Sequence, residues 1–343
     1  MHAKTHHRLQ ADHSLITPLT FDAQRGVAHV IIMRLIKLIS GLALMSSTLL
    51  VINQAHGQMT DSSGSETETM TQTSPPSRAR FMTTPRVASM GSAGIGGSRA
   101  TSALMLNPAG MLSDISYVVD ANYFRTRGEE NLLNINITDS QTSKNKFALG
   151  LGYQANLADG DIAEHHAQIG LAIPLFNAGS TPVIGGLNGH YIYQATDEDD
   201  HFDIDLGVML PLSQVLSLGV VGAQLLNDER QIWGAGVGLT NKSFSGHFDL
   251  LHSFNVTRTE LRAGLEWLLS DRFVLRGGYI HMLSAELKDE EGPSAFSLGA
   301  AILKLGTGRG RVNLSYQRAL MNDEYTFGAG FSLYLDDHRR TMR

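Results

Sequence analysis

From Ile115 onward the chain alternates apolar and polar positions with a period of two. Phe147, Leu149, Leu151 and Tyr153 share one face, and Ala148, Gly150, Gly152 and Gln154 the other. Phe202, Ile204, Leu206, Val208 and Leu210 oppose Asp203, Asp205, Gly207 and Met209. Leu261, Ala263, Leu265, Trp267 and Leu269 oppose Glu260, Arg262, Gly264 and Glu266. Tyr325, Phe327, Ala329, Phe331, Leu333 and Leu335 oppose Thr326, Gly328, Gly330 and Ser332. Further blocks start near Ile115, Leu132, Ala167, Val183, Val215, Gln231, Phe244, Phe273, Phe296 and Val312. Each spans about ten residues and ends in turn residues, which predicts strands rather than helices.

About 14 strands are predicted, an even number as in bacterial outer-membrane barrels. A soluble sandwich also alternates, but its apolar faces meet each other and its polar faces meet water. Strands of about ten residues match a tilted membrane crossing. The apolar face carries Tyr123, Tyr153, Tyr191, Trp233, Trp267, Tyr279 and Tyr325 near strand ends, as interfacial girdles do. The expected fold is therefore all-β: an antiparallel transmembrane barrel, apolar face in lipid, glycine and polar face in the lumen.

The connections supply an independent check. Every second one, beginning with 125–131 and continuing through 156–164, 196–201, 227–230, 255–258, 284–293 and 321–324, falls on one rim. Together these hold roughly half of the 33 acidic residues. The other connections carry Lys144, Lys242, Arg272, Lys304 and Arg309, with Asp139 and Asp271 as their main acids. One rim is thus acidic and the other mildly basic. The acidic rim is assigned to the cell exterior.

The N-terminal part reads differently. Residues 1–32 are polar and aperiodic. Met33-Arg34-Leu35-Ile36-Lys37 forms a short positive region, Leu38–Ile52 an apolar run, and Ala55-His56-Gly57 a small-x-small cleavage site. The run is shorter than the ~20 residues of a spanning helix. Residues 33–57 are expected to be a signal peptide, with translation starting at Met33 and 1–32 an over-long extension. Residues 58–85, rich in Ser, Thr, Gln and Glu, are expected to be a disordered periplasmic leader. Residues 113–335 would form the barrel and 336–343 a short tail.

Composition narrows the function. With no cysteine, a disulfide framework, a thiolate metal site and a cysteine nucleophile are excluded. A net charge of −6 argues against nucleic-acid binding. Only 17% of residues are charged, and there are 35 glycines against 9 prolines. This suits a strand-rich protein whose surface need not face water.

The stretch Arg86-Val87-Ala88-Ser89-Met90-Gly91-Ser92-Ala93-Gly94-Ile95-Gly96, followed by Leu106-Asn107-Pro108-Ala109-Gly110-Met111-Leu112, resembles the segment preceding strand one in FadL/PorV-type outer-membrane proteins. The resemblance implies that residues 86–112 fold into the lumen as a hatch, with Arg86, Met90, Gly91, Gly94, Gly96, Asn107, Pro108, Ala109 and Gly110 as its characteristic residues. Glycines permit tight backbone paths inside a crowded pore, and Pro108 bars Asn107 from a helix. Short acidic outer connections, without an apolar capture groove, favour the PorV/PorQ branch and thus a secretion or surface-attachment role. The alternative is a FadL-like transporter of small hydrophobic molecules, which would show an apolar cavity behind the hatch and a kink or gap in a wall strand.

Strand parity places Asp120, Asn122, Asn188, His190, Asp203, Asp205, His247, Asp249, Glu260, Arg262, Glu266 and Arg276 in the lumen, together with Asn134, Asn136, Gln168, Asn313 and Gln317. Both signs are present, so these charges can pair across the pore or with Arg86 and Arg99. Packing is one reading of them and a polar permeation track another. No serine is marked as a nucleophile, so no enzymatic activity is expected. His165-His166 and His201 read as loop histidines near acids, and no dedicated metal site or cofactor is expected. Expected partners are outer-membrane lipid and lipopolysaccharide, the barrel-assembly machinery, and either secretion or surface proteins or hydrophobic small molecules. The expected location is the outer membrane of a diderm bacterium.

Overall fold

The computed structural model of the protein describes residues 84–335, apart from 128–129, 145, 159–160, 195–199, 228–230, 254–257, 285–293, 306–308 and 321–323. The expected extension, signal peptide, leader up to residue 83 and tail lie outside the described residues, as do most of the acidic connections.

Fourteen strands follow two short helices and a 3-10 turn. The helices are α1 (Pro85–Ala88) and α2 (Ala100–Leu106), and the 3-10 turn is Pro108–Leu112. The strands are β1 (Tyr117–Thr126), β2 (Glu130–Asp139), β3 (Ala148–Ala158), β4 (Asp161–Ala178), β5 (Thr181–Gln194), β6 (His201–Leu210) and β7 (Leu216–Ala223). Then come β8 (Ile232–Thr240), β9 (Phe244–Ser253), β10 (Arg258–Leu268), β11 (Phe273–Ser284), β12 (Ala295–Leu305), β13 (Gly310–Ala319) and β14 (Tyr325–Tyr334). Each pairs antiparallel with its neighbours in sequence, and β1 pairs with β14 from Val118↔Tyr334 to Thr126↔Thr326, closing the barrel. Closure leaves no sheet edge, as a wall surrounded by lipid requires.

The two faces differ as the period of two predicts. Leu151, Phe202, Leu265 and Trp267 are more than half exposed on the outside. Asp120, Asn134, Asn188, Asp249 and Arg262 on the opposite faces are buried. A soluble protein could not leave so continuous an apolar surface uncovered. In a bilayer it is the stable arrangement.

Two boundaries differ from the sequence reading. Strand β4 begins at Asp161, well before Ala167, because a bulge lies there: Asn156 pairs with Glu164 and Leu157 with Ile162, leaving Ala163 over. The extra residue flips the alternation and hides the strand start. His165 and His166 are consequently strand residues, not loop residues. His165 Nδ1 faces outward to the Tyr153 hydroxyl at 2.6 Å, and His166 bonds His190 at 2.8 Å. The leader was expected to run to residue 85, yet Thr84 is buried and caps α1, accepting from Val87 N–H at 3.3 Å. Pro85 then occupies the first turn, where its missing N–H costs nothing.

Candidate functional site in the barrel lumen

Residues 84–112 lie against the inward faces of the strands, and several of their backbone groups that find no partner within the segment bond lumen side chains. Asp249 on β9 accepts from the Gly94 and Ile95 amides at 2.6 and 3.0 Å. Ser297 on β12 accepts from Gly91 N–H at 2.8 Å, and Ser217 on β7 donates to the Gly96 carbonyl at 2.5 Å. Asn188 on β5 donates to the Leu104 carbonyl at 2.5 Å, and Thr101 donates to Asp120 on β1. Irregular backbone at membrane depth needs such partners, because lipid offers none.

Asn107 makes the densest set of these bonds. Its amide nitrogen donates to the carbonyls of Ile95 and Val208 at 3.0 and 3.2 Å, and its side-chain oxygen accepts from Ala109 N–H at 3.2 Å. One side chain therefore joins the two arms of the segment, binds β6 and starts the Pro108–Leu112 turn.

Close approach is made possible by a belt of inward glycines, one on each of several successive strands. A Cβ on Gly186 would lie 2.8 Å from Ala109 Cα, and one on Gly207 2.9 Å from Pro108 Cδ. One on Gly219 would lie 2.8 Å from the Ile95 carbonyl carbon, and one on Gly236 2.8 Å from Gly96 N. One on Gly264 would lie 2.7 Å from Met90 Cβ, and one on Gly278 2.7 Å from Met90 Cα. The glycine excess in the composition is thus largely a seat for the N-terminal segment. Gly91 itself needs the left-handed backbone, at φ 65°. Gly110 packs on Ser98, where no side chain fits.

Charged lumen residues form three networks. Arg86 bonds Glu266 through Nε and Nη2 at 2.9 and 3.0 Å, and Arg276 bonds the same carboxylate at 2.7 Å. Arg276 also reaches Asn313 at 3.0 Å. Glu260 is held between Arg258 and Arg262, at 2.5 and 2.8 Å. His166, His190 and Asp205 form a chain across β4, β5 and β6, with His190 Nε2 to Asp205 at 2.5 Å. Asn122 donates to Asn134 at 2.8 Å. Arg99 pairs with Asp114 at 3.4 Å rather than with a strand residue.

His247 bonds Ser245 at 2.8 Å and packs beside Gly97. The nearby Asp249 directs a carboxylate oxygen to the Gly94 and Ile95 amides, and its other oxygen makes no hydrogen bond to His247. Among the described residues there is no group of three or more His, Asp or Glu able to hold a metal ion.

On the side of the short turns lies a cavity of about 750 Å³, lined by Arg86, Arg99, Lys144, Lys242, Arg276 and Arg311 against Asp114, Asp120 and Glu266. Cationic side chains outnumber carboxylates in it, and they share the lining with apolar ones such as Ile115, Phe244, Leu268 and Val274. Nearer the other rim, Ile95 packs with Val221, Leu251 and Ile232. Beside this apolar patch the wall ladder is interrupted. Strand β6 pairs with β7 only from Leu206↔Gly222 to Leu210↔Leu218. Beyond it the chain turns at Gln224, whose φ is 55°. Asp205 and Asp203 then accept the Gln224 and Leu226 amides, both at 2.9 Å. The Leu225 N–H bonds the Ile204 carbonyl at 3.0 Å across this gap.

No protein-family model and no curated protein matches the sequence. Solved structures share the fold. The CymD monoaromatic hydrocarbon channel superposes with a TM-score of 0.53 at 12% identity, covering 75% of this chain and 98% of its own. A TodX monoaromatic hydrocarbon channel with a deltaS2S3 mutation gives 0.54 at 10% identity, covering 73% and 98%. The chain is a 14-stranded antiparallel barrel of the architecture seen in these channels. Such a barrel, with its lipid-facing belt, belongs to the outer membrane of a diderm bacterium.

Proposed function

We propose that the protein is a FadL-like outer-membrane channel for small hydrophobic molecules, closed by residues 84–112 acting as a hatch. The observation that carries this reading is the interrupted ladder between β6 and β7, beside the Ile95, Val221 and Leu251 patch. A molecule that partitions into hydrocarbon gains more from an apolar route leading to a wall break than from an aqueous bore. Where a neighbouring strand stops, backbone amides need other acceptors, and Asp203 and Asp205 supply them. The names of the two channels sharing the fold agree with this substrate class.

The PorV/PorQ-type reading, favoured by the sequence, becomes the second choice. Its support is the shortness of the outer connections, and it predicts a protein partner instead of uptake. The lumen polar residues act, in the reading proposed here, mainly as the seat of the hatch.

The test is uptake of a monoaromatic hydrocarbon such as toluene into liposomes containing the purified barrel, run beside a pull-down from detergent extract. The proposed function predicts uptake by the wild type and its loss in Val221→Trp, which fills the apolar patch. Recovery of a stoichiometric partner with no uptake would favour the secretion role instead.

A further inference from the structure

Two observations meet on the outward face of the seam formed by β13, β14 and β1. The first is charge. Among the described residues the rim assigned to the cell exterior carries four Lys or Arg side chains, Arg125, Arg127, Arg258 and Arg318. Arg258 is bound to Glu260 at 2.5 Å. The other three lie together on this seam. Register sets Arg125 opposite Phe327, and Phe327 opposite Tyr316. One row further out, Arg318 stands opposite Tyr325, and the Arg127 guanidinium lies 5.6 Å from the centre of the same ring.

The second observation is shape. One row toward the membrane centre, roughly 7 Å below Arg125, the outward residues are Tyr123, Ala329, Leu314 and Ala300 in register. The two alanines sit among larger neighbours and floor a lipid-facing depression of about 590 Å³, walled by Leu298, Leu314, Tyr316, Phe327 and Tyr123, with Arg125 at its edge. Its lining is almost wholly apolar.

A cationic ledge directly above an apolar trough at the membrane boundary fits a ligand with an anionic head and a hydrocarbon tail. Guanidinium groups bind phosphate through paired N–H donors and are weakly hydrated, which suits an interface. A second copy of the barrel fits poorly, because a two-fold contact on this seam would bring like charges together. We propose that the seam is a binding site for a phosphorylated, multiply acylated glycolipid of the outer leaflet. Its phosphate rests on Arg125 and Arg318, and one acyl chain lies in the trough floored by Ala300 and Ala329. This site is separate from the lumen and does not depend on what the channel carries.

The experiment is native mass spectrometry of the full-length mature barrel, stripped of lipid in detergent and titrated with diphosphoryl lipid A. Heat-modifiable gel mobility shows that each variant is folded. One saturable molecule is expected per barrel. Removing the phosphates from the lipid, or combining Arg125→Gln with Arg318→Gln, weakens binding by at least about tenfold. Ala329→Trp, which fills the trough and leaves the arginines in place, weakens it similarly. Equal binding of dephosphorylated lipid A, equal competition by phosphatidylglycerol, or wild-type affinity in the folded double variant would each overturn the site.

Discussion

Arg86, at the start of the N-terminal segment, and Glu266, on β10, form a two-pronged ion pair at 2.9 and 3.0 Å. Arg276 bonds the same carboxylate at 2.7 Å. The three groups are therefore unequal. Removing Arg86 leaves Glu266 with a cation, whereas removing the carboxylate leaves two guanidinium groups facing each other. Glu266→Gln is expected to destabilise the seated segment by about 3 kcal/mol, and Arg86→Gln by less. Limited proteolysis of the folded barrel checks this: cleavage within 84–112 should be faster in Glu266→Gln than in Arg86→Gln, and slowest in the wild type.

Adjacent glycines on β11 should respond in opposite ways. A Cβ on the lumen-facing Gly278 would lie 2.7 Å from Met90 Cα, whereas one on the lipid-facing Gly277 meets nothing nearer than Ser297 O at 3.9 Å. Gly278→Ala is expected to unseat the Met90-Gly91 turn, because backbone on both sides has little room to yield. Gly277→Ala should be neutral or slightly stabilising. Thermal melts of the two variants, with heat-modifiable mobility as the folding check, distinguish them; equal melting points would count against the tight seat.

Asn107 acts through both ends of its amide, donating to Ile95 and Val208 and accepting from Ala109. Asn107→Ala is expected to cost about 2–4 kcal/mol, since it strands buried carbonyls. Asn107→Asp should be at least as damaging, because a carboxylate cannot donate to those two carbonyls and would be buried beside them. Chemical denaturation in detergent, read by tryptophan fluorescence, orders the variants; an aspartate variant as stable as wild type would refute this role.

Much of this architecture was legible because a membrane barrel enforces strict alternation. Of the residues that parity assigned to the lumen, from Asp120 on β1 to Gln317 on β13, all are buried except the partly exposed Glu266. The starts of β9, β11 and β14 coincide with Phe244, Phe273 and Tyr325. What failed was local: one surplus residue, Ala163, reversed the pattern in β4. The interruption after β7 left no mark either, because the left-handed residue there is Gln224 and not glycine. The segment's partners were only partly visible. Charge allowed Arg86 to be matched with lumen acids, but Ser217 and Ser297 carry no pattern that singles them out. Their role arises only when the barrel brings distant strands to one level. The glycine surplus was visible in composition, yet its meaning required knowing which backbone presses on it.

The most direct test of the account is the conductance of the purified barrel in a planar lipid bilayer, wild type against a variant lacking residues 86–112, with heat-modifiable mobility confirming that both are folded. The wild type should be nearly silent, and the shortened barrel should show a large, stable ion current through the emptied glycine-lined bore. Equal conductance of the two folded proteins would contradict the claim that this segment closes the lumen.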